Sequence, residues 1–282
     1  MKQAEIIRCI ECTAPLSIAA PWDHSGVQVA SRREEIGHLA VCLDPTPDSV
    51  GRAIEAGAEM ILAHHPLAMK PRFTDRLDAY RDVLSLLFRA DVPLYSSHTS
   101  LDANPKGPVA WLARELGLKR PAPVVSAAEA VFEAPLPVLE RTGSMRGLDG
   151  EWDCGFGVIG DVAPLSGEAL GKALSPWLEG ICTRLVGELP PVLRRIAICP
   201  GSGSDLADAA AALGADILIT GDLKYHPSLE MPLPVLDVGH FCLEEEMMRR
   251  FARELGEMLP DVKVTFVPAQ DPFRPFFATH RA

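Results

Sequence analysis

Short apolar runs alternate with longer segments of helical period along most of this chain, and that alternation restricts the fold more than any other feature. Residues 38–44 (HLAVCLD), 60–64 (MILAH) and 92–98 (VPLYSSH) read as strands. Residues 45–59, 75–90 and 107–118 carry apolar residues at helical spacing, with Thr46 as N-cap and Pro47 at the first helical position. The second half repeats the rhythm, with strands at 154–162, 194–201, 216–222, 233–240 and 262–268 and helices at 165–179, 204–215 and 243–259. Strands spaced by helices predict an α/β protein with mainly parallel sheets.

The halves echo each other. EAGAEMILAHHPL (55–67) resembles ALGADILITGDLK (212–224), and VPLYSSHTSLD (92–102) resembles LPVLDVGHFCLEE (233–245). This is the mark of an internal duplication of about 100 residues. It predicts two related α/β lobes with their strand tips at a shared cleft. The Pro-rich stretch 119–150 is the expected junction, giving lobes of residues 1–125 and 126–282.

Composition removes several function classes. The net charge of -11 and scattered Lys and Arg argue against a nucleic-acid partner. No run reaches 18 consecutive apolar residues, so no membrane span is expected. The seven cysteines are odd in number and dispersed, and no export signal is legible, which points to a reducing cytoplasm. Cys9 and Cys12 form a single CxxC on a helical pattern and read as two small core residues.

Five of the eight histidines fall at or near strand ends, the edge where open α/β sheets collect ligands. These are His64 and His65, His98 ahead of Asp102, His226, and His240 ahead of Glu244. The His98/Asp102 and His240/Glu244 pairs are spaced i, i+4, which one helical turn places on a single face. Glu245 and Glu246 lie off the His240 face, and Cys242 should point away. His64 and His65 are expected on extended backbone, held by Pro66, with their rings apart, so that each serves a different ion. The set His64, His65, Asp102, His240 and Glu244 therefore suits two divalent cations about 3.5–4 Å apart. Mixed imidazole and carboxylate donors fit zinc, iron, manganese or nickel. His98 is either a further ligand or a proton shuttle beside the ions. His226 is a loop residue first and a substrate contact second. PGSGSD (200–205) reads as a tight turn capped by Ser202 or Ser204, with phosphate binding as the weaker alternative.

At these residues the chain resembles the Nif-three-like family of dinuclear-metal proteins, often described as type 2 GTP cyclohydrolase I. APWDHSGVQVA (20–30), ILAHHPL, SSHTSLDANPKG, CPGSGSD, ADILITGDLKYH and VGHFCLEEEM match its motifs in order. The resemblance implies a two-lobed α/β fold, a two-ion site at the five residues above and a ring-shaped homo-hexamer. His24 stands where the family usually has Asn, Cys242 replaces a usual small residue, and the extra central domain of longer relatives is absent. Two functions follow: a metal-dependent hydrolase of a nucleotide or other phosphorylated small molecule, or a non-catalytic metal chaperone or regulator.

Overall fold

The computed structural model describes residues 1–119, 135–147, 150–178 and 181–274. In chain order its elements begin with α1 (Gln3–Thr13), β1 (Gly26–Val29), β2 (His38–Cys42), α2 (Pro47–Glu55), β3 (Met60–Ala63), α3 (Ala79–Ala90), β4 (Leu94–Ser96), α4 (Thr99–Asp102) and α5 (Trp111–Glu115). They continue with β5 (Val138–Gly147), β6 (Gly150–Leu165), α6 (Gly167–Leu178), β7 (Arg184–Val186), β8 (Leu193–Ile198), α7 (Ala207–Ala212), β9 (Ile217–Thr220), α8 (Tyr225–Ser228), β10 (Val235–Asp237), α9 (Phe241–Met258) and β11 (Lys263–Phe266).

The chain forms two compact units, each assembled from three stretches. The first holds Met1–Val109, Arg141–Gly155 and Glu245–Ala269; the second holds Ala110–Glu140, Phe156–Glu244 and Gln270–Ala282. The expected junction between residues 125 and 126 lies outside the described residues.

The sheet of the first unit runs β1-β4-β3-β2-β11. β4, β3, β2 and β11 are parallel, and β1 pairs antiparallel with β4. Its central strands are buried at every residue, as continuous apolar runs covered on both faces should be. Val50 and Ala53 of α2 and Val83 and Leu87 of α3 pack with Ala40, Ile61 and Leu94 into one core. Each fully buried Val, Leu or Ile there is worth about 1.5–3 kcal/mol. The start of α2 matches expectation: Thr46 accepts the Ser49 N–H at 3.1 Å, and Pro47 sits in the first turn.

The sheet of the second unit runs β5-β6-β8-β9-β10-β7. Only β8, β9 and β10 are parallel; β6 joins β8, and β7 joins β10, in antiparallel fashion. This sheet is therefore mixed, where a mainly parallel one was expected. The extra strands are the edge segments β5 and β7, which are largely exposed and lack a clean apolar pattern. Cys12 also departs from its expected core position, being exposed while Cys9 is half-buried; the inward stripe of α1 is Ile6, Ile10 and Thr13.

Candidate metal centre

In the first unit, β3 stops at Ala63 and the chain bends. The His64 N–H donates to Leu43 O at 3.1 Å, and His65 N–H donates to the same carbonyl at 3.1 Å. This bend overturns the extended geometry expected of the pair. The two rings converge, with centroids 4.8 Å apart, and His98 joins them at 5.3 Å from His64 and 5.6 Å from His65. One donor atom from each of His64, His65 and His98 falls within 4.8 Å of the others, a grouping that could hold a metal ion. Asp102 completes the cluster, its Oδ1 3.6 Å from His64 Nε2. The predicted helical turn between His98 and Asp102 is present as α4, with Asp102 N–H donating to His98 O at 3.2 Å.

In the second unit, His240 follows β10, and Glu244 lies one turn along α9. Glu244 Oε2 is 3.0 Å from His240 Nε2. As expected, the neighbours turn elsewhere. Cys242 is buried with its thiol on Val238 O, Glu245 accepts from Ala269 N–H, and Glu246 pairs with Arg249 and Arg250.

All four imidazoles are oriented in the same way. Nδ1 of His64 donates to Ser97 O at 2.8 Å, that of His65 to Asp44 Oδ1 at 2.7 Å, that of His98 to Asp23 Oδ1 at 2.8 Å, and that of His240 to Asp222 Oδ2 at 2.7 Å. Tying down Nδ1 fixes the tautomer and makes Nε2 the lone-pair nitrogen of a neutral ring, the usual bracing of a metal-binding histidine. Burial opposes ionisation of Asp23. Its hydrogen bonds from His98, Ser25 and Thr99 outweigh that and hold its carboxyl well below the usual range. For His240, the hydrogen bond to Glu244 outweighs burial and, with Asp222, lifts the imidazole to about 9. At neutral pH that pair holds a proton, which a cation bound there would have to displace.

Backbone shape serves the same residues. Gly201 has φ +66°, and a Cβ built there would run into Glu244 Oε1. Gly203, rather than Ser202 or Ser204, is the N-cap of the short turn that follows, and its N–H donates to Thr220 Oγ1 at 2.8 Å.

The structure thus gathers His64, His65, His98 and Asp102 in one unit, and His240 with Glu244 in the other. His226 is exposed on α8 with the Tyr225 ring 5.4 Å away, and belongs to no such group among the described residues. The bracing acids Asp23, Asp44 and Asp222 escaped the reading of the sequence. Two of them carry a usable signal, since Asp44 and Asp222 are the first acids after β2 and β9.

These residues fit divalent cations: the donor set is imidazole and carboxylate, the rings are braced, and Gly201 keeps room for the Glu244 carboxylate. Comparison with known proteins places the chain in a family. A Clostridium perfringens protein called GTP cyclohydrolase 1 type 2 homolog is 34% identical over 97% of this chain and 99% of its own length. A Streptococcus pneumoniae protein of the same name is 28% identical over 98% and 99%. Among solved structures, a Bacillus cereus protein related to NIF3 superposes with a TM-score of 0.80 at 21% identity, covering 98% of this chain and 99% of its own. Reduced HcgD from Methanocaldococcus jannaschii gives a TM-score of 0.74 at 25% identity, covering 95% and 98%. Residues 1–272 match the family described as Duf34/NIF3 (NGG1p interacting factor 3), and the chain belongs to that family.

Proposed function

We propose that this protein is a metal-dependent hydrolase of a nucleotide or other phosphorylated small molecule, built on two divalent cations held by His64, His65, Asp102, His240 and Glu244. The observation that carries the reading is the shared bracing of four histidines through Nδ1, since such care over tautomer suits ligands more than surface or core histidines. The name of the curated relatives adds GTP as the first substrate to try. Paired cations in such a site lower the pKa of water and polarise phosphoryl oxygens.

The chain's own residues do the rest. Asp44 and Asp222 keep the His65 and His240 rings in register. Asp23 holds His98 with a proton on Nδ1, so that Nε2 is the site at which His98 takes up or returns a proton during turnover. His226, exposed on α8, serves as a substrate contact. We further propose a homo-hexamer, a state the family resemblance implies. Exposed Phe73, Leu77 and Phe88 are apolar surface that assembly would cover.

The test compares metal-loaded and metal-free protein on GTP and a panel of phosphoesters. The His98→Ala variant is expected to keep its metal and lose on the order of 100-fold in rate. If His98→Ala sheds an ion instead, His98 is a ligand. If the metal-loaded wild type turns over nothing on the panel, the hydrolase reading falls and a metal chaperone or regulator takes its place. Light scattering that gives a 30.5 kDa particle at micromolar concentration would remove the hexamer.

A further inference from the structure

A cavity of about 360 Å³ lies in the first unit beside the histidine cluster. Its wall and the bracing of the cluster share residues. Asp23, which holds His98, and Ser25, whose Oγ accepts the His98 N–H at 3.0 Å, both line it. Leu67 and Ala68 line it too, directly after His65 and Pro66. Gln28 makes that wall rigid. Its Oε1 accepts from Leu67 N–H at 3.3 Å, and its Nε2 donates to Gly26 O at 3.1 Å.

The charge of the cavity runs against the acidic chain. Its one acid, Asp23, has a side chain fully shielded from solvent and already accepts hydrogen bonds from His24 N, His98 Nδ1, Ser25 Oγ and both N–H and Oγ1 of Thr99. The remaining polar groups of the lining include Lys70, Arg72, His24 and Tyr80. Arg72 is committed, with Nη2 2.5 Å from Asp78 Oδ2 and its guanidinium 4.6 Å from the Tyr80 ring centroid. That contact braces Tyr80 against the wall. An exposed lysine marks nothing by itself. Lys70 differs in lining a defined cavity whose one carboxylate, Asp23, is shielded and already hydrogen-bonded to other groups.

We propose that this cavity is the subsite for the phosphate group of a small phosphorylated ligand, with Lys70 as the charged contact and His24 and Tyr80 as hydrogen-bonding contacts. The inference rests on the reading of the neighbouring cluster as the reaction centre. A ligand anchored at Lys70 would share a wall with Asp23 and Ser25, which hold His98, and with Leu67 and Ala68, which follow His65.

The test is calorimetric titration of phenyl phosphate into the full chain, as purified with its metals. Lys70→Met should weaken binding about 10-fold and Tyr80→Phe by less, with metal content unchanged in both. Lys70 is exposed, so its replacement leaves the core intact. If Lys70→Met binds phenyl phosphate like wild type while removal of the metals abolishes binding, the anion sits on the cations. The subsite is then overturned and the hydrolase reading survives. Benzoate binding as tight as phenyl phosphate would overturn the phosphate assignment. Lys70-dependent binding in a protein that hydrolyses nothing would uphold the subsite and sink the hydrolase reading alone.

Discussion

The three parallel strands β2-β3-β4 and the three parallel strands β8-β9-β10 are the same structure built twice. The correspondence reaches single hydrogen bonds. Glu59 N–H donates to His38 O as Asp216 N–H does to Arg195 O, both at 2.8 Å. Ile61 N–H donates to Pro93 O as Leu218 N–H does to Pro234 O, both at 3.0 Å. Gly57 and Gly214 close the intervening helices at φ +85° and +76°. On that common frame the donors are exchanged. Where the first repeat has His65 held by Asp44, the second has Asp222 and Gly201. Asp222 braces His240, and Gly201 leaves room for the Glu244 carboxylate. The scaffold dictates where tips converge; which tip carries the imidazole and which the brace is free to differ between copies.

The largest expected effect distinguishes ligand from brace at one backbone point. His65→Ala should remove about one of the two proposed ions, whereas Asp222→Ala, at the matching position, should keep both and weaken their binding about 10–100-fold. Metal analysis after dialysis against a graded chelator series reads both. Equal losses in the two variants would break the distinction between the repeats.

Gly201 sharpens it further. Gly201→Ala and Gly214→Ala both force a side chain onto positive φ, a strain of about 1–2 kcal/mol. Only at Gly201 does the new Cβ meet Glu244, since nothing lies within 4 Å of a Cβ at Gly214. Both variants should melt earlier than wild type, and only Gly201→Ala should lose metal affinity, by about 10-fold or more. A Gly201→Ala protein with wild-type affinity would show that Glu244 has room to move.

What was legible in the sequence follows from the range of each interaction. The strands β2, β3, β4, β8, β9 and β10 announce themselves because each carries a short, local and mostly buried apolar run. The i, i+4 spacing of His98/Asp102 and His240/Glu244 likewise needs only one helical turn. The convergence of His64 and His65 goes with hydrogen bonds to Leu43 O, a carbonyl just past the end of β2, and nothing near the two histidines encodes it. Asp23 reaches His98 across 75 residues. β11 pairs with β2 in register Lys263 to His38, more than 200 positions away, so the segment expected in the second lobe completes the sheet of the first.

That seam is where the repeats differ most, and it yields the smallest prediction. In β8, Arg195 of the second repeat forms an ion pair with Asp161 of β6 at 2.6 Å. The matching residue in β2 is His38, buried with Nε2 2.8 Å from Thr265 Oγ1 of β11. Burial, helped by the Lys263 charge, pushes the His38 imidazole below its ordinary value, against weaker opposing contributions from Gly57 and Glu59. The sign of the linkage is then fixed. The unfolded chain takes up this proton first, near the ordinary imidazole value of about 6.5, while the folded chain resists it. Stability contributed at His38 is complete above that pH and drains as pH falls toward the lowered folded value, at no more than about 1.4 kcal/mol per pH unit for one proton. Denaturant titrations between pH 7.5 and 5.0 should therefore show a shallower loss of stability in His38→Gln than in wild type. Thr265→Val should lower stability by about 1 kcal/mol for the lost hydrogen bond while keeping the wild-type slope. If His38→Gln and wild type lose stability in parallel across that range, His38 is not the group that senses pH at this seam, and the seam is held by backbone pairing and apolar burial alone.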